Sequence, residues 1–192
     1  DAASERVNRL IYQSLVDFDA TSNPVPALAT WLMVSPREYH FSLKQPFASF
    51  HHHKPLTAYD VKATYDSVIT LKDSPLSSEY SNISSIQVIN DSLLIFQLKQ
   101  ADVNFASRLI MGILPKDYLH KKHDFAHHPI GSGSLAFESW HSKLVLKRTS
   151  DAQQIVLTEV KDPTVRVLKL LRGETDLLQG DLPPELVKHL QS

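Results

Sequence analysis

Apolar positions switch between a helical and a strand-like spacing along the chain. From Arg6 to Val16, the residues Val7, Leu10, Ile11, Leu15 and Val16 fall three to four apart, which predicts an amphipathic helix with one face inward. Asn23-Pro24-Val25-Pro26 interrupts that spacing, and Ala27 to Trp31 reads as a short helical turn. Tyr39, Phe41 and Leu43 then alternate with polar neighbours, so Glu38 to Leu43 predicts a strand with one buried face. Thr57, followed three residues later by Asp60, is a capping-box variant that opens a helix from Ala58 to about Leu71. Ser84 to Ile89 and Leu93 to Leu98 flank Asn90-Asp91-Ser92 and predict a β-hairpin.

The second half continues in the same mixed manner. Asn104 to Ile110 reads as helical, Pro115 starts a short helix through Leu119, and Lys121 to His128 is a polar loop. Leu135 to Trp140, Leu144 to Lys147 and Ile155 to Val160 predict strands, being rich in β-branched and aromatic residues. Asp162-Pro163 supplies an N-cap and first-turn proline for a helix that Gly173 closes, and Pro183-Pro184-Glu185 opens a last helix through Leu190. The fold class is therefore α+β, a mixed α/β arrangement with interleaved helices and strands.

Composition narrows the function more than the fold. With 192 residues, 42% of them hydrophobic, the chain buries a real core as one large or two small domains. A formal charge of −1 gives no field to draw it to nucleic acid or an anionic membrane. The absence of cysteine excludes disulfides, thiolate metal sites and a cysteine nucleophile. No apolar run approaches the ~20 residues of a membrane span. Asp1 to Arg6 lacks the basic start and apolar stretch of a signal peptide, as expected if a leader is removed or lies upstream.

Three chemistries suggest themselves and each has a plainer explanation. His51-His52-His53, with His120, His123, His127 and His128, offers imidazoles for nickel or zinc, but consecutive residues of an extended segment point to opposite faces and cannot share one ion. Gly131-Ser132-Gly133 lacks the lysine and Ser/Thr of a P-loop and the third glycine of a dinucleotide fingerprint, so it reads as a structural turn. Ser132 also lacks the five-residue elbow of a hydrolase, and no spacing pairs Asp60, Asp162, Glu174 or Asp176 as acid and base. Trp31, Trp140, Phe41 and Phe137 are most simply core residues. No catalytic residue, metal ligand or cofactor is assigned.

Phe50-His51-His52-His53-Lys54-Pro55-Leu56-Thr57-Ala58-Tyr59-Asp60-Val61, Pro129-Ile130-Gly131-Ser132-Gly133 and Leu170-Leu171-Arg172-Gly173-Glu174-Thr175-Asp176 occur in an informative order. Together they resemble the extracytoplasmic solute-binding proteins of peptide and nickel ABC importers, the dipeptide/oligopeptide-binding family 5. Its Phe-His-Asp-Gly-x-Pro-Leu-Thr-Ala-x-Asp-Val pattern is matched except for Asp-Gly, replaced by His52-His53. Arg9 to Val16 resembles the family's opening helix, Pro26 to Trp31 its Pro-x-Leu-Ala-x-x-Trp turn, and Ile113 to Lys116 a further landmark. The family's Asn-Pro-x-Tyr-Trp stretch is missing at Lys147 to Asp151, and Gly-Pro-Tyr is replaced by Ser134-Leu135-Ala136. If His53 keeps the positive φ of the glycine it replaces, it carries backbone strain.

The resemblance covers only the amino-terminal part of the family pattern. It implies a periplasmic-binding-protein-like first lobe with the second lobe absent: residues 1–17 and 130–192 as a discontinuous, partial ligand-facing lobe, and 18–129 as an accessory α/β subdomain. It also implies a non-enzymatic, periplasmic protein that captures oligopeptides for an ABC permease and pairs with the missing second lobe. Three places should face ligand: an extended start (Ala2, Ala3, Ser4, after Asp1), the loop after the capped helix (Leu76, in Ser74-Pro75-Leu76), and Gly180 and Asp181 after the Gly-Glu-x-Asp run. Main-chain pairing of an extended peptide leaves little trace in sequence. The alternatives are a single-lobe sensory or protein-interaction module, and nickel or zinc binding through the histidines; separately, an uncovered apolar face where a second lobe would sit is a candidate surface for self-association.

Overall fold

The structure, a computed structural model, describes residues 2–71 and 75–191. The chain opens with helix α1 (Ala2–Ile11), followed by a small hairpin of β1 (Val16–Phe18) and β2 (Pro24–Pro26). Then come β3 (Ala29–Ser35), β4 (Glu38–Leu43), α2 (Ala58–Ile69), α3 (Pro75–Glu79), β5 (Ile83–Val88) and β6 (Leu93–Leu98). A 3₁₀ turn at Phe105–Arg108 and α4 (Lys116–His120) lead to β7 (Leu135–Trp140), β8 (Leu144–Arg148) and β9 (Gln154–Leu157). Helices α5 (Pro163–Leu171) and α6 (Pro184–Gln191) follow.

The alternation in β4 organises the larger core. Tyr39, Phe41 and Leu43 point inward, opposite Met33, Trp31 and Ala29 of β3; Phe96 and Leu94 of β6 face Tyr39 and Phe41 from the other side. The four strands form an antiparallel sheet in the order β3-β4-β6-β5. Helix α2 buries Ala58, Val61, Tyr65 and Val68 in the same core as the sheet's inward residues. Phe96 is central: its ring meets Phe41 at 5.4 Å and Tyr65 at 5.7 Å, both edge-on, an arrangement favoured by the aromatic quadrupole.

Asp60 ties α2 to α4. Its carboxylate, 5% exposed, accepts from the Thr57 N–H (2.9 Å), the Thr57 hydroxyl (3.0 Å) and the Lys116 N–H (2.9 Å). Thus the capping residue read from sequence also anchors the start of a second helix.

A smaller core lies apart from the first. Strands β7-β8-β9 form an antiparallel sheet, and α1 packs on it through buried Ile11, Leu135 and Leu146, with Val7, Phe137, Leu144, Ile155 and Leu157 around them. Leu15 and Val16 belong instead to the larger core. Helix α5 is capped as expected, the Asp162 carboxylate accepting from the Val165 N–H at 2.9 Å, and Gly173 leaves the helix at φ +69°.

Several expectations are corrected. Helix α1 ends at Ile11, not Val16, because the Ile11 carbonyl is taken by the Gly133 N–H at 2.8 Å and the chain leaves to build β1. The helical turn expected over Ala27 to Trp31 is strand: Ala29 and Trp31 are in register with Leu43 and Phe41. Pro24 to Pro26 pairs with β1 instead of only breaking a pattern. The helical stretch expected over Asn104 to Ile110 shrinks to the 3₁₀ turn.

Candidate functional site

The two cores meet at a junction built from motif residues. His51 donates its backbone N–H to the Gly131 carbonyl at 2.8 Å, and its ring lies between Gly131 and Gly133. The Gly131 N–H donates to Nδ1 (3.3 Å), which requires that nitrogen to be unprotonated, so Nε2–H donates to the Gly133 carbonyl (3.0 Å). Burial holds the His51 pKa below its ordinary value, against the opposing pull of the Gly133 hydrogen bond. A Cβ on Gly131 would stand 2.0 Å from the Ile11 carbonyl oxygen, and one on Gly133 2.3 Å from that of Leu10. Glycine is needed here for close approach of backbones, which is the structural turn read from sequence.

The neighbouring histidines are packed rather than convergent. His52 stacks on Phe50 at 5.5 Å and meets the edge of Tyr118 at 5.0 Å; burial first, and Lys54 next, lower its pKa. His53 has φ +65°, the strained conformation expected where a glycine is replaced. His123 bonds the His128 carbonyl and His127 bonds Asp124. Among the described residues, no three His, Asp or Glu side chains are placed to hold a metal ion.

Two small cavities flank this region, of about 210 and 180 Å³. Phe50, His52, Lys54, Asp60, Lys116 and Asp117 help line the first, whereas His51, His128, Ile130 and Phe137 help line the second. Both fall below the ~300 Å³ at which ordinary ligand pockets begin. The Ser132 hydroxyl is enclosed without a hydrogen-bond partner among the described residues, and the nearby His51 ring is occupied on both nitrogens. No nucleophile and base are brought together here.

The residues expected to face ligand occupy three separate places, and neither cavity contains them. Ala2, Ala3 and Ser4 form the first turn of α1 rather than an extended segment; Asp1 lies outside the described residues. Leu76 sits in the short helix α3 rather than a loop, 45% exposed, and Ser74 also lies outside the described residues. Gly180 and Asp181 are exposed in the segment between α5 and α6. Sequence reasoning missed what holds that segment. Arg166 of α5 donates to the carbonyls of Gln179 (3.3 Å) and Asp181 (3.1 Å), a contact across more than a dozen residues that no local spacing signals.

Residues 23–191 match the family model described as bacterial extracellular solute-binding proteins, family 5, middle region. The chain belongs to this family. Among solved structures it is similar to the oligopeptide-binding protein AppA of Bacillus subtilis in complex with a nonapeptide, with 27% identity and a TM-score of 0.81 over 91% of this chain and 39% of that one. The fold is shared with MoaA of A. tumefaciens R10 in complex with mannopinic acid (20% identity, TM-score 0.85, 98% of this chain, 42% of that one). It is shared also with NikZ of Campylobacter jejuni in complex with Ni(L-His) (23%, 0.77, 86% and 37%). No curated protein matches the chain in sequence. The chain thus spans about two fifths of the length of these structures, and it has the architecture of their first lobe. Family 5 members are extracellular solute-binding proteins of ABC transporters, and no described helix is long and apolar enough to cross a membrane.

Proposed function

We propose that this chain is one lobe of a periplasmic binding protein that captures oligopeptides for import, with no covalent chemistry of its own. The observation that carries the reading is the family match over residues 23–191, together with the similarity to a binding protein solved with a nonapeptide. Residues 1–17 and 130–192 are assigned to the ligand-facing lobe and 18–129 to the accessory subdomain. Ala2, Ala3, Ser4, Leu76, Gly180 and Asp181 are assigned to the ligand side.

One lobe offers only an open half-site, because most of a peptide's surface is buried when a second lobe closes over it. Trp140 of β7, expected in the core, is instead exposed, as are Leu171 and Leu177, and these residues favour further contact. We assign that contact to the second lobe, with an ABC permease as the downstream partner. A second reading draws on the same exposed residues: the chain acts alone as an interaction module and associates through them.

Calorimetric titration of the native gene product with alanine peptides of two to nine residues tests the first reading. Saturable one-to-one binding is expected. A native product of only 21.7 kDa that binds none of them and dimerises instead would transfer support to the second reading.

A further inference from the structure

Strand β3 forms one edge of the four-stranded sheet, and β4 fixes the direction of its hydrogen-bonding groups. The Leu43 N–H donates to the Ser92 carbonyl at 2.7 Å, towards β6, so the alternating residues Ser42 and His40 turn their backbone groups to β3. Their partners Thr30 and Leu32 face β4 in return, which leaves the N–H and C=O of Trp31 and Met33 pointing away from the sheet. Among the described residues no backbone group takes them. The open stretch has defined ends. Ala29 is covered on that side, its N–H donating to the Leu15 carbonyl at 3.2 Å. At the other end Val34 is bulged out of the ladder and Ser35 pairs back with Glu38.

The side chains leave this edge unprotected. Edge strands are ordinarily blunted by charge, proline or polar residues, and β5, at the opposite edge, exposes Ser84, Ser85 and Gln87. Strand β3 carries neither a charge nor a proline from Ala29 to Ser35, and it exposes Met33, Val34 and above all Leu32, which is 63% exposed.

The open groups are complementary to a second copy of themselves. Run antiparallel to its own copy and centred on Leu32, β3 sets Trp31 opposite Met33 of the second copy and Met33 opposite its Trp31, so every N–H of these residues meets an open C=O. Leu32 then faces its own copy as a non-hydrogen-bonded pair, with Cα atoms about 4.5 Å apart. Centring the pairing on Trp31 would bring in Ala29, whose N–H is already bonded, and centring it on Met33 would bring in Ser35, which faces β4. An uncharged strand also meets its copy without like-charge repulsion.

We propose that β3 is a self-pairing edge: two copies of this chain associate by antiparallel β3–β3 pairing about a two-fold axis at Leu32, which joins their four-stranded sheets into one. The contact does not involve Trp140, Leu171 or Leu177. It goes beyond peptide capture and does not depend on it.

The test is sedimentation velocity of the native gene product over about 1–100 μM, as wild type and with Leu32→Lys or Leu32→Glu. Wild type is expected to show a reversible dimer. Each substitution sets like charges face to face at the axis and is expected to weaken the dimer about 100-fold. An equimolar mixture of the two variants is expected to recover it, because residue 32 then meets the opposite charge, and that recovery shows both variants to be folded. A wild type that stays monomeric over this range would overturn the proposal. A dimer that both variants leave intact would overturn it too, by assigning association to another surface. A mixture that stays monomeric would exclude the pairing centred on Leu32.

Discussion

Tyr65 shows how a single residue in this core departs from ideal packing. Its ring is fully enclosed, yet its hydroxyl has no partner among the described residues. Burial, reinforced by Tyr80 and Glu79, pushes its pKa well above the ordinary value. A buried polar group without a partner costs about 1–3 kcal/mol, so Tyr65→Phe should stabilise by about 1 kcal/mol and raise the thermal midpoint by about 2–4 °C in a differential scanning measurement. His51 makes the opposite point, being half-buried and well bonded in its neutral form. Its folded pKa lies below the unfolded value of about 6.5, so the unfolded chain binds the proton more readily. The stability it contributes is complete above pH 6.5 and is lost as pH falls from there towards its folded pKa. Urea midpoints should therefore drop between pH 7.5 and 5.5, with a shallower drop in His51→Gln, which cannot titrate. His53 stands where the family pattern has glycine, and its φ of +65° is the left-handed conformation that glycine adopts without strain.

At the level of elements, the sequence was informative where burial is one-sided. Strand β4 alternates cleanly, so its limits follow from the sequence, as do those of β6, while the start of α2 follows from its capping pair. Strand β3 does not stand out in the sequence, because Leu32 and Val34 are apolar yet exposed, which erases the period of two. Its proline-flanked approach also resembled a break. The end of α1 is hidden in the sequence for a related reason: Leu15 and Val16 continue a helical spacing but serve a different core. The reach of Asp60 to Lys116 was not legible either, being a contact between residues 56 apart in sequence. That reach predicts a cost beyond an ordinary cap. Asp60→Ala strands the Thr57 and Lys116 N–H groups and should destabilise by about 2–4 kcal/mol, against about 1 kcal/mol for a simple N-cap loss, as measured by chemical denaturation.

For the whole molecule, the decisive feature is the seam between the two cores. Gly131 and Gly133 allow the α1 carbonyls to approach, while His51 stitches the larger unit to the same turn. Gly131→Ala places a methyl 2.0 Å from a backbone oxygen, which no side-chain rotation relieves. It should cost about 3 kcal/mol or more and separate the unfolding of β7–β9 from that of β3–β6, visible as two transitions in hydrogen exchange. The motifs at this seam carry the family resemblance, and the contacts they make join the two units. The proposed ligand side is less legible, since a site that pairs an extended peptide through main-chain groups leaves side chains largely unconstrained.

The most direct measurement is mass spectrometry of small molecules released on denaturing the native gene product isolated from its host. The account predicts a mixture of short peptides in near-stoichiometric amount. Release of no peptide, or of a single non-peptide solute in that amount, would contradict it.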